Sequence, residues 1–551
     1  MAELVGDITA KHATRRTAVL VAVVLAAFLA VITFSLRGSF WSSQDYGMLS
    51  LSHAIHLEWR LSHGESFPAP GLAGHPGIPF YFASWLAVAL VVPSFSVAGF
   101  DRFSEIIANA EPIYVANQVI AITLVALSSY AFVRVATRVV PIGVALAALG
   151  LWLGSTYQAI LTSTSLSIET FALPLNVLFL WILLRLAASP KISTADAIMA
   201  GLIAALGYLM KLPYLYVACG LGAACLTSAF VHRVGIVQGL RSVALIAASC
   251  VLCVAAVGYS VIGEAGLNAL LIFHKNVLFH SGHYGTGEIG LLQASHAKAA
   301  LDSFLYYGSF APWAALMFGS TCTVFALTGR RTRKAPPSEV ILGVGAGVAA
   351  LFAAIGVLKH FAEHYSAGVA STLPAVVIAL FLLVNKVHPS SSRRFGFLMF
   401  ILLAFGFSYS LYFAAKYKLT DVARRFDGQV DRRQLHGLLE GKEGRAIFTY
   451  HVLQPEFGEG FILYYSGIPM LQKEYRVRDQ SRASSYASPI GSFKYVVVDK
   501  AYFPDMARVR SASNLDPVGS VQVTAASADQ IVELRCCFVV IKPQPILLPA
   551  P

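Results

Sequence analysis

The sequence predicts an α-helical polytopic membrane protein with a small C-terminal α/β soluble domain. Three observations carry that expectation. Of 551 residues, 56% are hydrophobic and only 13% are charged, about half the charged share of an ordinary soluble domain. Apolar runs long enough to cross a bilayer recur along most of the chain, and a spanning helix needs about 20 such residues. Basic residues gather in short loops between those runs, the pattern that marks the cytoplasmic side.

The runs lie near 17–35, 112–133, 140–155, 170–187, 195–210, 213–230, 242–263, 303–328, 340–358, 369–386 and 395–415. They give about eleven transmembrane helices. The first follows Lys11, Arg15 and Arg16. Its length, and the lack of an A-x-A-like site after it, favour an uncleaved anchor over a signal peptide. Arg134 with Arg138, Lys191, Arg233 with Arg241, Arg330 to Lys334, and Lys386 with Arg393 and Arg394 mark successive cytoplasmic turns. Two spans separate each marker from the next. The scheme places the N-terminus in the cytoplasm and the residues after about 416 outside.

One further apolar run, 79–99, breaks this parity if it crosses. Pro79, Ser84, Pro93, Ser94 and Ser96 interrupt it, so the expectation is a juxtamembrane element that does not cross. The predicted division is a transmembrane domain at 1–416, with a first outer loop at 36–111, and an extracytoplasmic α/β domain at 417–551. In that last domain, Arg445–His451, Lys494–Lys500, Ser520–Thr524 and Glu533–Lys542 are β-rich runs bounded by turn residues. A helix is expected across Leu419–Leu439. The tail IKPQPILLPAP is expected to be extended.

The net charge of +12 follows from the loop arginines and lysines and does not indicate nucleic acid. Cys219, Cys225, Cys250, Cys253 and Cys322 lie in apolar runs, where cysteine packs as a small hydrophobe. Cys536 and Cys537 are adjacent, and neighbouring cysteines are expected to pair poorly. No zinc-type spacing, phosphate-binding glycine loop or dinucleotide fingerprint is placed where it would function.

Ionisable residues collect in the outer segments. Asp45 follows the first span closely, where a partly screened carboxylate can serve as a general base; a solvated loop aspartate or a helix cap is the plainer reading. His53, His56, His63 and His75 crowd the same loop with Glu58 and Glu65. His53 and His56, three apart, permit a divalent metal site. The competing reading is an interfacial amphipathic helix anchored by Trp59 and Arg60. Glu169 opens a span, where an acid can cap the helix or close a site with Asp45. Lys211 lies between two tightly joined apolar runs and needs either an anion or a snorkelling path. Lys359, His360, Glu363, His364 and Tyr365 make an outer turn unusually rich in ionisable groups, suited to a phosphate or simply solvated. His274, Lys275, His280, His283 and His296 form a more diffuse set. Arg185, at a cytoplasmic helix end, is expected to snorkel.

In this order and topology the features resemble the GT-C superfamily of membrane glycosyltransferases. The likeness is to the protein mannosyltransferase and aminoarabinose transferase branch, which uses polyprenyl-phosphate sugars. That branch places a catalytic Asp in the first outer loop, and Asp45 in SQDYG matches, although Tyr46 stands where a second acid is common. A Pro-Pro motif before an aromatic juxtamembrane helix is partly kept in HPGIPFYFASWLAVAL, where Pro76 remains and Gly77 replaces the second proline. Glu169 in SIETFALPL fits the family's acid at an outer helix start. GLIAALGYLMK resembles a stretch ending in Thr-Lys, with Met210 for Thr before Lys211. HYSAGVASTLP resembles a basic-Tyr element, with His364 in place of Arg ahead of Tyr365.

The resemblance implies an inverting glycosyltransferase in the plasma (inner) membrane. It would move a hexose or pentose from a polyprenyl-phosphate donor to a hydroxyl on a glycan, lipid or protein. Asp45 would be the base, and Glu169 the acceptor-binding residue or second acid. Lys211, His364, Tyr365 and Lys359 would meet the lipid phosphate. No cofactor is implied, since the leaving group carries only one phosphate; a metal held by His53, His56 or His75 is the alternative. Three rival readings stand beside it: a transporter or flippase for lipid-linked glycans, a non-catalytic assembly protein, and an oligosaccharide ligase using a pyrophosphate lipid. The first would want charges buried along a mid-membrane path, and the last more arginine in the outer loops.

Overall fold

The computed structural model describes residues 2–38, 40, 47–65, 77–93, 99–280, 289–290, 294–306, 309–332, 334–359, 363–387, 392–440, 445–449, 455–478, 482–484, 491–500, 502–516, 522–525, 528 and 530–548. Asp45, His75 and His360 lie outside the described residues. The chain divides into two compact units. The first comprises Met1–Ser35, Gly74–Phe80 and Asn117–Tyr417, and the second Leu36–Ala73, Tyr81–Ala116 and Lys418–Pro551.

The protein is a multi-pass helical membrane protein with a small sheet. Among the described residues eight helices are long and apolar enough to cross a bilayer: Thr14–Ser35, Ala110–Ala136, Ile168–Ala188, Leu212–Val231, Ile236–Phe279, Ala311–Arg331, Pro337–Lys359 and Tyr365–Val387. Three apolar helices are shorter, Ile78–Val91, Ile142–Gly154 and Thr194–Met210. The run expected at 395–415 lies in one long helix, Ser392–Leu439, which also contains the helix expected at Leu419–Leu439. Ile78–Val91 has 14 residues. At 1.5 Å per residue that is about 21 Å, short of the ~30 Å hydrocarbon core.

In the first unit, helix packing rests on small residues, because lipid offers no hydrophobic drive to bring helices together. Pro337–Lys359 carries the run ILGVGAGVAA. A Cβ on Gly347 would stand 2.8 Å from the Gly319 carbonyl, and one on Gly220 would stand 2.7 Å from the Gly345 carbonyl. Only glycine allows both neighbouring backbones so near.

The same unit contains a buried interruption between two apolar helices. Ile142–Gly154 ends at Ser155, and a short helix Tyr157–Thr164 and a 3-10 turn Ile168–Phe171 precede Ala172–Ala188. Irregular backbone of this kind survives at depth only when protein satisfies it. Here it does: the Thr156 hydroxyl accepts from Gln158 N, the Thr170 hydroxyl donates to the Thr162 carbonyl at 2.7 Å, and Ser155 O accepts from Phe310 N at 2.9 Å.

The second unit holds a five-stranded sheet of β1 (Ala446–Phe448), β2 (Arg482–Ser484), β3 (Gly491–Asp499), β4 (Gln530–Glu533) and β5 (Cys537–Leu548), in the order β2-β1-β3-β5-β4. β1 is parallel to β2 and β3, while β5 runs antiparallel to β3 and β4. Its core is Ile447, Phe493, Val496, Val498, Phe538 and Val540, closed by Val509 and Leu515. The strands expected near 445, 494 and 533 are present.

Two details correct the sequence reading, and one extends it. Residues 522–524 are not a strand; Val523 is held in a loop, its N–H donating to Asn514 Oδ1 and its carbonyl accepting from Leu515 N. The proline-rich tail is extended, as expected, and continues β5 to Leu548. The register shifts between Phe493 and Tyr495, whose partners are Ile546 and Ile541. Pro543 and Pro545, which lack a ladder N–H, fall in that irregularity. Cys536 and Cys537 are joined to each other in the tight β4–β5 connection, where Leu534 N donates to Cys537 O.

The second unit also contains the first-loop helices Leu49–His63 and Phe100–Ala108. Arg102 is buried, and its guanidinium donates to Glu58 at 2.7 Å, Glu105 at 2.9 Å and the Val92 carbonyl at 2.9 Å. The two carboxylates raise its pKa against the opposing cost of burial.

Candidate functional site

Lys211 owes its position to a helix break. Thr194–Met210 stops at Lys211, which is extended, and Pro213 opens the 3-10 turn Leu212–Leu215 before the next helix. A proline there has no N–H with which to continue the helical ladder, so the helix ends before it. The Lys211 side chain is thereby left inside the first unit, 4% exposed, rather than snorkelling. Its Nζ lies 3.1 Å from Glu169 Oε1 and 3.3 Å from His364 Nε2. It also stands 4.1 Å from the centre of the Tyr365 ring, within cation–π range.

Glu169 is 7% exposed. It sits in the 3-10 turn, but its carboxylate does not cap that turn. Ser167 and Thr170 form a reciprocal capping box there instead, which releases Glu169 to pair with Lys211. His364 and Tyr365 meet edge to face with centroids 4.3 Å apart. Desolvation pushes the His364 imidazole down to about 4. Lys211 pushes the same way and Glu169 against. His364 is therefore neutral at pH 7, with Nε2 accepting from Lys211 Nζ and its proton on Nδ1. As placed, it orients the lysine and adds no second positive charge.

A narrow crevice opens beside this trio, lined by Glu169, Lys211, Tyr214, Tyr216, Tyr365 and Gly368 among others. Gly77 approaches from the first-loop side. Its N–H donates to the Met210 carbonyl at 3.0 Å, its φ is +42°, and a Cβ there would stand 2.8 Å from Ile168. It thus touches the residues that precede both Lys211 and Glu169.

The remaining candidates lie elsewhere. Lys359 is buried, but its Nζ donates to the Leu278 carbonyl at the end of helix Ile236–Phe279. His53 and His56 belong to the second unit and are buried, as is Trp59, so this is no interfacial face. His53 Nδ1 meets the Leu49 carbonyl at 2.6 Å and His56 Nδ1 the Ser466 carbonyl at 2.9 Å, and both rings pack on Tyr81. Among the described residues no three His, Cys, Asp or Glu converge as a metal-ligating group. Arg185 does not simply snorkel: it pairs with Asp196 at 2.8 Å and lies over Trp181.

Sequence reasoning passed over Tyr157. Its hydroxyl donates to the Glu363 carboxylate, and burial, with that carboxylate adding, raises its pKa. The signal was a lone tyrosine in the hydroxyl-rich stretch STYQAILTSTS, which nothing local distinguishes.

No protein-family model matches the chain, and no curated protein matches its sequence. Among solved structures it is similar to the archaeal oligosaccharyltransferase AglB from Archaeoglobus fulgidus, in complex with an inhibitory peptide and a dolichol-phosphate. The TM-score is 0.44 at 12% identity, covering 87% of this chain and 70% of that one. The apo form of the Archaeoglobus fulgidus oligosaccharyltransferase gives 0.43 at 13% identity, covering 89% and 70%.

Proposed function

We propose that the protein is a membrane glycosyltransferase that moves a hexose or pentose from a polyprenyl-phosphate donor to a hydroxyl acceptor outside the plasma membrane. The observation that carries this reading is the buried Lys211 ammonium, held between Glu169 and His364 beside an aromatic-lined crevice. Lysine has three N–H donors. Glu169 and His364 engage two, which leaves the third for a phosphate oxygen.

In this reading the acceptor oxygen attacks the anomeric carbon as the carbon–oxygen bond to the phosphate breaks. Configuration inverts, and the polyprenyl phosphate departs with the bonding pair. The acceptor proton passes to the Asp45 carboxylate, a general-base step typically worth about 10²–10⁴-fold. Lys211 stabilises the charge that grows on the leaving phosphate. Glu169 fixes the ammonium in the ground state and serves as the acceptor-binding residue or second acid. The chemistry is complete without a metal.

The transporter reading gains no support from the cluster, because all three charged or ionisable members come from helix ends and not from mid-span. The test is transfer by the purified full chain with a panel of radiolabelled polyprenyl-phosphate sugars, comparing wild type, Asp45→Asn and Lys211→Met. Loss of most turnover in both variants is expected, with folding intact in Asp45→Asn and a lowered melting temperature in Lys211→Met. Near wild-type turnover in either overturns its assigned role, and no transfer from any donor overturns the reading.

A further inference from the structure

A second set of side chains in the first unit has no part in the step above. Glu363 directly precedes His364 in the chain, and the Tyr157 hydroxyl donates to its Oε2. The Tyr157 ring lies 6.3 Å from the ring of Tyr417 and 6.3 Å from that of Phe413. Phe405, Tyr409, Phe413 and Tyr417 recur every fourth residue, so they share one face of helix Ser392–Leu439. Tyr409 stacks on Phe405 at 5.8 Å and meets Phe413 edge to face at 5.0 Å. The stripe ends at Tyr417, which is 38% exposed, while Tyr157 beside it is 4% exposed.

We propose that Glu363, Tyr157 and Tyr417 form a binding site for a pyranose or furanose ring. A sugar presents two kinds of surface, C–H bonds on its faces and hydroxyls at its rim. Aromatic faces carry negative potential and attract the first. A carboxylate, with about four lone-pair sites, accepts strongly from the second. Tyr157 occupies one of those sites and fixes the carboxylate's direction, leaving capacity for hydroxyl donors. A purely structural tie between Tyr157 and Glu363 would need neither a charged acceptor nor an exposed ring next to it. Because Glu363 and His364 are consecutive, the site adjoins the Lys211 cluster, an arrangement that suits a sugar bonded to a phosphate. In this respect the inference rests on the functional reading above.

The experiment is saturation-transfer NMR on the full chain in lipid nanodiscs with methyl glycosides of several hexoses and pentoses. Transfer to the ring protons of at least one glycoside is expected. Glu363→Gln, which keeps an acceptor for Tyr157, should weaken it at least fivefold without changing the melting temperature. Tyr417→Ala should abolish it and Tyr417→Phe should retain it. Suppression of the signal by unlabelled polyprenyl-phosphate sugar identifies the donor ring as occupant, and persistence identifies the acceptor. No signal from any glycoside, or a signal unmoved by both Glu363→Gln and Tyr417→Ala, overturns the site. Glycoside binding without transfer from any donor would support this site and defeat the transferase reading instead. Transfer that is insensitive to both variants would do the reverse.

Discussion

Lys211 Nζ stands 3.1 Å from Glu169 Oε1, 42 residues away in sequence, and both side chains are buried. Each neutralises a charge that the other's removal would strand. Truncating one partner of such a pair typically costs about 3–5 kcal/mol, whereas replacing both with apolar residues is often neutral. Lys211→Met and Glu169→Leu should each lower the melting temperature sharply, and the double variant should recover most of it. Transfer activity should not recover. A double-mutant cycle on thermal unfolding, run beside the transfer assay, checks both halves; additive stability losses would show that the pair is not coupled.

Glu169→Gln keeps a hydrogen-bond acceptor but leaves the Lys211 charge uncompensated. Affinity for a polyprenyl phosphate should therefore rise several-fold, measured by competition against the labelled donor, while turnover falls. Unchanged affinity would mean that the lipid phosphate does not meet this lysine.

His364 titrates near 4 in the folded chain and near 6.5 when unfolded. The unfolded state therefore binds the proton first as pH falls, so stability drops between about pH 6.5 and 4 and levels off below. Above 6.5 both states are neutral and the contribution is constant. His364→Gln should flatten this part of the pH–stability curve, read by chemical unfolding in detergent. A slope of the same size in the variant would assign it to another group.

Gly77 combines a φ of +42° with only 2.8 Å between its hypothetical Cβ and Ile168. Gly77→Ala should cost about 1–3 kcal/mol from strain and overpacking. Because its neighbours precede Lys211 and Glu169, turnover should fall as well. Wild-type stability and turnover in that variant would show that the contact is dispensable.

His56 ties helix Leu49–His63 to the Ser466 carbonyl at 2.9 Å. Burial lowers its pKa, with Arg60 adding and the bond to Ser466 opposing, so it remains neutral. His56→Ala should leave that carbonyl unsatisfied at a cost of about 1–3 kcal/mol. Faster hydrogen exchange across 455–478 should follow. Exchange unchanged from wild type would show that another contact holds these helices.

The sequence by itself determined the membrane class, most of the helices and three runs of the sheet, because apolar length and period are local properties of the chain. It also singled out Glu169, Lys211, His364 and Tyr365, since ionisable groups at helix ends stand out against apolar runs. Only the tertiary structure decided what those groups do to one another. Glu169 looked like a helix cap until Ser167 and Thr170 were seen to fill that role. His364 looked like a cation until burial beside Lys211 made it an acceptor. Lys359, equally conspicuous in sequence, turned to the Leu278 carbonyl, and Tyr157 gave no sign of Glu363, 206 residues away. Protonation state and partner depend on desolvation and on distances of a few ångströms between remote segments, and no local pattern encodes either.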